Sequence, residues 1–185
     1  GENEWTESIK NQVKRLTALT EKLVFLSRMD EESTKLIMLD FSISDAVLEV
    51  AQGFEAVATS QGKTLNLDID NNLSYCGDET TIRQLVSLLI DNAMKYSDEN
   101  GKITVSLKSN GKSRIITVTN SVDKIEKGKH DELFERFYRA DSSRNSETGG
   151  HGIGLSVVKA IANAHKGKAI CYSNDENSIT FKITL

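Results

Sequence analysis

The chain has 185 residues, of which 38% are hydrophobic and 27% are charged, and its formal net charge at pH 7 is −4. These values are ordinary for a globular protein with one full domain and a smaller element. The weakly acidic balance offers no basic field for nucleic acid, and no run of 18 apolar residues could span a membrane. We therefore expect neither nucleic-acid binding nor membrane contact by this chain.

The first predicted element is a helix over residues 9–29, because apolar residues recur in it at heptad spacing. The stripe comprises Ile9, Gln12, Val13, Leu16, Leu19, Thr20, Leu23 and Leu26. It is too short to indicate a long coiled coil. Two interpretations remain open. The helix packs onto the rest of this chain, or it belongs to a dimerising helical hairpin whose first helix lies upstream.

The remaining sequence predicts strands and helices of one domain. In chain order these are a strand over 35–41, a helix from Ser42 or Ser44 to about Ser60, a strand over KTLNLDID, a helix capped by Asp78 and running to Ser97, two strands joined by an Asn110-Gly111 turn, a short helical piece near HDELFERFY, a helix from Gly154 to about His165 that Gly167 ends, and the strands KAICYS and SITFKITL. We expect an α+β fold, with about five strands in a mixed sheet and three helices on one face, behind the long N-terminal helix.

The helix over 78–97 carries a polar side chain within its apolar stripe. Leu85, Leu88, Leu89, Asn92 and Tyr96 share one helical face. A buried amide without partners costs about 1–3 kcal/mol, so one interpretation is an asparagine bonded to neighbouring backbone. The other interpretation involves Lys95. An amide oxygen beside a lysine can hold a hydrated Mg²⁺ and a phosphate together, because Mg²⁺ prefers hard oxygen ligands and keeps several waters.

The stretch TGGHGIGLSVVK places a glycine cluster directly before a helix. Glycines reach positive φ, so consecutive N–H groups can turn toward one anion, and the helix N-terminus adds its own unpaired N–H groups. Taken alone, the cluster is equally consistent with a flexible linker or a tight turn. It is not a P-loop, since Leu155 follows the last glycine, and no strand leads into it as in a dinucleotide-binding fingerprint.

Taken in order, DNAMKYS, a strand ending in VTN, FERFYRADSSR and GGHGIGLSVVK resemble the ATP-binding catalytic domain of two-component sensor histidine kinases, which belong to the Bergerat-fold (GHKL) ATPases. The resemblance covers essentially the whole chain. It implies that residues 1–31 are the second helix of the dimerisation and phosphotransfer hairpin and that residues 32–185 are the catalytic domain. It also implies a Bergerat-type sandwich, binding of ATP and Mg²⁺, a homodimer through the hairpin, a response regulator as partner, and a cytoplasmic location in a membrane-anchored bacterial parent.

The resemblance also implies roles for individual residues. It makes Asn92 the Mg²⁺ ligand, and Asn92, Lys95 and Arg139 the catalytic residues. The implied ATP-binding residues are Asn92, Lys95, Tyr96, Asn120, Ile125, Phe134, Phe137, Arg139, Arg144, Gly150, His151, Gly152, Ile153, Gly154 and Leu155. Phe134 and Phe137 match the box that anchors a lid over the nucleotide, and Arg136 adds to the positive charge of that lid. An arginine that only solvates the surface is the alternative.

Two departures from the family pattern bear on activity. The family has an Asp-x-Gly-x-Gly loop whose aspartate bonds the adenine amino group, whereas this chain has Asn120, Val122 and Lys124 at those positions. An asparagine oxygen can still accept that hydrogen bond, but without the strengthening charge. We expect a reshaped loop and weaker nucleotide affinity. Leu88 stands where hydrolysing relatives carry a glutamate, and leucine cannot activate water.

The chain is not expected to contain the phosphorylated histidine. His130 precedes an aspartate but no proline follows, His151 lies in the glycine cluster, and His165 closes a helix. The leading hypothesis is therefore a kinase domain that phosphorylates a histidine upstream of this chain. The alternatives are an ATP-hydrolysing relative of the same fold and an interaction module with a degenerate nucleotide pocket.

Overall fold

The computed structural model of the chain describes residues 4–30, 36–138 and 152–185, apart from the side chains of residues 4, 15 and 30. Its helices are α1 (Glu4–Asp30), α2 (Ile43–Gln52), α3 (Glu55–Ser60), α4 (Glu79–Tyr96), a 3₁₀ turn (Asp131–Phe134) and α5 (Gly154–Ala164). Its strands are β1 (Leu39–Ser42), β2 (Thr64–Ile69), β3 (Ser74–Gly77), β4 (Lys102–Asn110), β5 (Ser113–Ser121), β6 (Gly128–Lys129), β7 (Lys168–Ser173) and β8 (Ser178–Thr184).

The main sheet has six strands in the order β2-β4-β5-β8-β7-β6. Strands β2 and β4 are parallel and all other neighbours are antiparallel, which makes the sheet mixed as predicted. Alternate residues of β4, β5 and β8 are fully buried, so one face of the sheet lies under the helices. The α+β class is confirmed. The sheet has six strands where about five were expected, since the short β6 extends it, and β1 pairs with β3 in a separate two-stranded sheet.

Local capping chemistry fixes the starts of α2 and α4. The Ser42 side chain accepts from the N–H of Asp45, and Asp78 Oδ1 accepts from the N–H of Thr81 at 3.0 Å. Both predicted caps are confirmed, with Ser42 rather than Ser44 beginning α2. From its cap, α4 runs across the sheet and buries Leu85 and Leu89 completely.

Three predicted boundaries were wrong. The helix expected to reach Ser60 is two helices, since Gly53 ends α2 after ten residues and its N–H bonds back to Glu49 O at 3.2 Å. The first strand begins only at Leu39. The β4–β5 loop is Gly111–Lys112, because Asn110 still pairs with Ser113, and glycine at the first loop position suits a type II′ hairpin turn.

The end of α5 also differs from the prediction. Lys166, not Gly167, adopts the left-handed backbone, with φ of 58°. Gly167 is needed for a different reason, since a Cβ there would collide with the carbonyl oxygen of Thr184. The glycine therefore permits close packing of the turn against β8 rather than a special φ.

Helix α1 packs on the domain only through its C-terminal part. Leu26 is buried, and Leu19 and Phe25 contact the core. The rest of the apolar stripe is exposed, from Trp5 (79%) through Ile9, Val13 and Leu16 to Leu23 (39%). Both interpretations of the stripe thus keep support, because one end packs on this chain and the other end remains uncovered. Across 4–30, 36–138 and 152–185, no helix has the length and apolar character that a membrane crossing requires.

Candidate functional site

Helices α4 and α5 lie antiparallel, and the imidazole of His165 joins the start of α4 to the end of α5. His165, 6% exposed, accepts the N–H of Asp78 at Nε2 (3.0 Å) and donates from Nδ1 to Ile161 O (2.9 Å). At the opposite end of α5, a methyl group built on Gly154 would lie 3.9 Å from Leu88 Cδ2. Because α4 continues for roughly 12 Å beyond Leu88, its last two turns run past the N-terminus of α5.

No side chain of the described residues caps the N-terminus of α5. Its N-cap is Ile153, a buried apolar residue, and the nearby Ser156 hydroxyl donates to Ile153 O at 2.8 Å instead of accepting an N–H. The preceding Gly152 has φ of +69°, and a Cβ there would come within 2.9 Å of backbone atoms of Phe137 and Tyr138. The first N–H groups of the helix therefore keep their capacity to bind an anion.

Asn92 lies one turn beyond Leu88, in the part of α4 that extends past the start of α5. Its side chain is half-buried, like those of Leu88 and Tyr96 on the same face, and it makes no hydrogen bond to any described residue. The interpretation of a buried asparagine held by backbone is therefore not what the described structure contains. Its amide oxygen is a hard ligand that suits Mg²⁺. Within the described ranges no three His, Cys, Asp or Glu side chains gather as a metal site, so a cation at Asn92 would rely on ligand phosphates and water.

Asn120, near the end of β5, is completely buried. Its Nδ2 donates to Ser121 O at 3.0 Å, while its Oδ1 has no partner. A carbonyl oxygen can only accept, so the nitrogen must face Ser121, and this fixes the orientation of the amide. An unpaired buried acceptor costs about 1–3 kcal/mol, which a ligand with an N–H donor would recover.

This arrangement has a match among known protein families. Residues 77–185, which include α4, Asn120 and α5, match the family described as histidine kinase-, DNA gyrase B- and HSP90-like ATPases. The chain belongs to this ATPase family.

Relatives within the family are sensor kinases. The chain is 33% identical over 174 residues to the sensor protein DltS of Streptococcus agalactiae serotype III (strain NEM316), covering 94% of this chain and 44% of DltS. Histidine kinase AdeS of Acinetobacter baumannii superposes with a TM-score of 0.80 at 28% identity over 100% of this chain and 85% of that one. Histidine kinase ThkA, solved in complex with response regulator protein TrrA, superposes with a TM-score of 0.76 at 23% identity, covering 99% of this chain and 50% of that one. At this identity the likeness is one of fold. The chain spans less than half the length of DltS.

The next implied site residue of this family member is Lys95. Its ammonium bonds Asp91 Oδ2 at 2.6 Å, so it does not point its charge at Asn92. Both side chains are more than one-third exposed, 37% for Lys95 and 41% for Asp91, and such surface pairs contribute about 0–1 kcal/mol. Sequence reasoning missed Asp91, although the spacing of four residues on a helix was a signal for this pair.

The two phenylalanines that resemble the lid-anchoring box of the ATPases occupy different environments. Phe134 is 2% exposed and packs edge-on against Phe181, with ring centroids 6.1 Å apart. Phe137 is 62% exposed and has a positive φ of 62°, which is unusual for a bulky residue. Its N–H donates to Gly152 O at 2.9 Å. Phe134 is thus a core anchor, and Phe137 joins that anchor to the start of α5.

The loop after Asn120 carries Val122 and Lys124 at the positions where the family resemblance implies glycines. Neither Val122 nor Lys124 has a positive φ. The N–H of Val122 donates to Asn177 O and the N–H of Ile125 donates to Glu176 O, both at 2.9 Å. The loop therefore lies along the β7–β8 turn. A shallow groove there is lined by Lys124, Ile125, Glu126, Lys127 and Glu176.

Several residues implied by the family resemblance lie outside the described residues, namely Arg139, Arg144, Gly150 and His151. Among the others, Leu155 is half-buried in the first turn of α5, and Ile153 is buried beside it. The structure places Leu88 beside Gly154 at the N-terminus of α5, and Asn92 lies one turn further along α4. Besides Asp91, sequence reasoning also missed Lys63, whose ammonium binds the C-terminal end of α4.

Proposed function

We propose that the chain is the ATP-binding catalytic part of a two-component sensor histidine kinase, with residues 1–31 as the second hairpin helix and 32–185 as the catalytic domain. The observation that carries this proposal is the start of α5, which no described side chain caps and which lies beside Leu88, one turn of α4 before Asn92. A site for phosphate thereby adjoins a hard oxygen ligand. The family and its kinase relatives support the same conclusion.

The roles of the residues follow from their chemistry. Asn120 Oδ1 accepts a hydrogen bond from the adenine amino group, which supplies the donor that this buried oxygen lacks among the described residues. The N–H groups of α5 bind the phosphates, and Asn92 holds Mg²⁺, which neutralises charge on the transferring phosphoryl group. Lys95 exchanges its exposed partner Asp91 for phosphate at low cost. Tyr96, Ile125 and Leu155 line the nucleotide.

The phosphoryl acceptor in this proposal is a histidine nitrogen upstream of the chain. It attacks the γ-phosphorus in line, the bond to the β-phosphate oxygen breaks, and ADP leaves. The described histidines fit structural roles better. His165 has both ring nitrogens engaged, and His130 Nε2 lies 2.7 Å from Glu126 O. Leu88, beside the N-terminus of α5, cannot activate water. This favours phosphoryl transfer to a histidine over hydrolysis of ATP.

The proposed partners are a second copy of the chain and a response regulator. The uncovered stripe of α1 suits the second copy and upstream helix of a dimerising hairpin. The complex of ThkA with a response regulator supports such a regulator as the receiver of the phosphoryl group. The parent protein would hold this part in the cytoplasm below a bacterial membrane.

Calorimetry with ADP, with and without Mg²⁺, tests the nucleotide site. We expect Mg²⁺ to strengthen binding to the unsubstituted chain, and Asn92→Ala to remove that gain, a loss on the order of tenfold or more. Asn163→Ala, an exposed asparagine near the far end of α5, is the matched control and should bind as the unsubstituted chain does. No binding at millimolar ADP would refute the proposal in favour of a degenerate module.

Phosphoryl transfer is tested on the longer protein that includes the upstream segment. Incubation with ATP labelled at the γ-phosphate should give acid-labile phosphate on that segment, and Asn92→Ala should abolish it. Steady-state phosphate release exceeding this transfer would instead indicate an ATP hydrolase.

A further inference from the structure

Lys63 closes the C-terminal end of α4 from another part of the chain. Its ammonium donates to Met94 O (2.5 Å), Ser97 O (3.1 Å) and Ser97 Oγ (2.8 Å). An ammonium has three N–H donors, so all three are used. Burial lowers the pKa of Lys63, and the charge of Asp98 opposes that shift. The contact is therefore a half-buried clamp in which every ammonium donor has an acceptor.

The location of this clamp matters because, among the described residues, Lys63 makes the long-range hydrogen bonds to the last turn of α4, which otherwise is held by the packing of Ala93 and Met94 in the core. The last carbonyls of a helix have no partner within the helix, and a cation there also complements the helix dipole. The turn that Lys63 holds contains Lys95 and Tyr96. Lys63 itself begins the chain's entry into β2, so it ties this turn to the edge of the sheet.

Hydrogen bonds next to Lys63 also connect the end of α4 to Asn120, on the other side of the candidate site. The N–H of Thr64 donates to Gly101 O at 2.9 Å, directly after the loop that follows α4. The next residue, Lys102, donates its N–H to Ser121 Oγ at 3.0 Å. Ser121 in turn orients Asn120 through its carbonyl. Hydrogen bonds thus run from the end of α4 across the sheet edge to Asn120.

We infer that Lys63 is a positioning residue for nucleotide binding. It sets the distance between the last turn of α4 and Asn120 without touching the nucleotide itself. This inference rests on the proposed function. It predicts that loss of the ammonium weakens nucleotide affinity beyond what any loss of global stability explains, because Lys95 and Tyr96 then shift relative to Asn120.

The test compares Lys63→Met, Lys63→Arg and the control Lys108→Met by calorimetry with ADP and Mg²⁺, well below each unfolding midpoint. Lys108 bonds Asp68 (2.6 Å) on β2 and Asp70 (2.9 Å) just after that strand, and neither carboxylate belongs to α4. We expect Lys63→Met to weaken binding about threefold to tenfold, since small displacements of binding groups are costly. Lys63→Arg should recover part of the loss, and Lys108→Met should bind normally. Hydrogen exchange should accelerate in residues 94–97 of Lys63→Met only.

Each outcome decides the inference. Unchanged affinity of folded Lys63→Met overturns it while leaving the proposed function intact. Equal weakening by Lys108→Met also overturns it, because the effect would then be general. Absence of binding by the unsubstituted chain overturns both proposals. If Lys63→Met does not fold, Ser97→Ala removes one acceptor of the same ammonium. A smaller loss of affinity, about twofold, supports the inference, and no loss contradicts it.

Discussion

Helices α4 and α5 pack against each other but end in opposite ways. Helix α4 is closed at both ends, by the Asp78 carboxylate at its start and by the Lys63 ammonium at its finish. Helix α5 is closed only at its C-terminal end by His165, and its N-terminus begins at an apolar residue without a side-chain cap. The protein thus closes both ends of the helix that carries the proposed ligand Asn92, whereas no described side chain closes the start of α5, where backbone N–H groups are offered.

The entry to α5 should be the most sensitive point of this comparison. Gly152→Ala places a Cβ at positive φ and within 3.0 Å of backbone, so we expect a loss of about 2–4 kcal/mol of unfolding free energy. Gly154→Ala is the matched control, because its Cβ meets only Leu88 at an ordinary 3.9 Å. Denaturant unfolding measures both. Equal losses would show that the start of α5 depends on general flexibility rather than on Gly152.

The start of α4 should come next. Asp78→Ala removes the cap, and we expect a loss of about 1–2 kcal/mol in denaturant unfolding at pH 7. Asp45→Ala, an exposed first-turn residue of α2 that is not a cap, should change stability by only a few tenths, about 0.3–0.5 kcal/mol. Similar losses from both substitutions would contradict the role of Asp78 as a specific cap.

The Asp78 effect should also depend on pH. Burial alone would raise the pKa of Asp78, but hydrogen bonds from the Thr81 and Ile37 amides outweigh it and hold the pKa below its usual value. Because the folded pKa is lowered, the stabilisation is present above the unfolded carboxyl pKa of about 3.9 and disappears as pH falls through the folded value. The gap between Asp78→Ala and the unsubstituted chain should therefore narrow below about pH 4. A gap that stays constant would contradict this.

The smallest effect is expected at the exposed flank of α5. Lys159 bonds Glu135 at 2.8 Å and thereby lowers the pKa of that carboxyl, yet both side chains are largely exposed. Surface ion pairs of this kind are screened by solvent. Lys159→Met should leave the unfolding midpoint unchanged within error in 0.15 M salt. A clear decrease of the unfolding midpoint would mean that this surface ion pair, and not only packing against the core, stabilises α5.

Features set by neighbouring residues could be predicted from the sequence. Asp78 and Ser42 are caps whose partners lie three residues away, and helical periodicity placed Asn92 and Tyr96 on one face. The break at Gly53 was missed because the apolar period continues through Val57, while Gly53 itself keeps a helical φ of −57°. Periodicity reports which face is buried, not whether the helix is continuous.

Features set by distant residues could not be predicted. A strand over 35–41 was predicted, but nothing in the local sequence indicates that Leu39 pairs with Gly77 in a separate sheet. The free Oδ1 of Asn120 depends on where the Ser121 carbonyl points, which only the backbone path decides. Lys63 lies more than 30 residues from the carbonyls that it binds. Its sequence neighbourhood is that of any lysine in a turn.

The exposed N-terminal part of α1 has a practical consequence for spectroscopy. Trp5 is the only tryptophan of the chain and is 79% exposed on that helix. Its emission should be that of a hydrated indole and should remain constant while ADP binds to the domain. A blue shift would instead report that another surface has covered the helix. The emission of Trp5 therefore reports the covering of α1 by another surface and does not respond to nucleotide. Assembly can thus be followed in the same sample as ADP binding without interference.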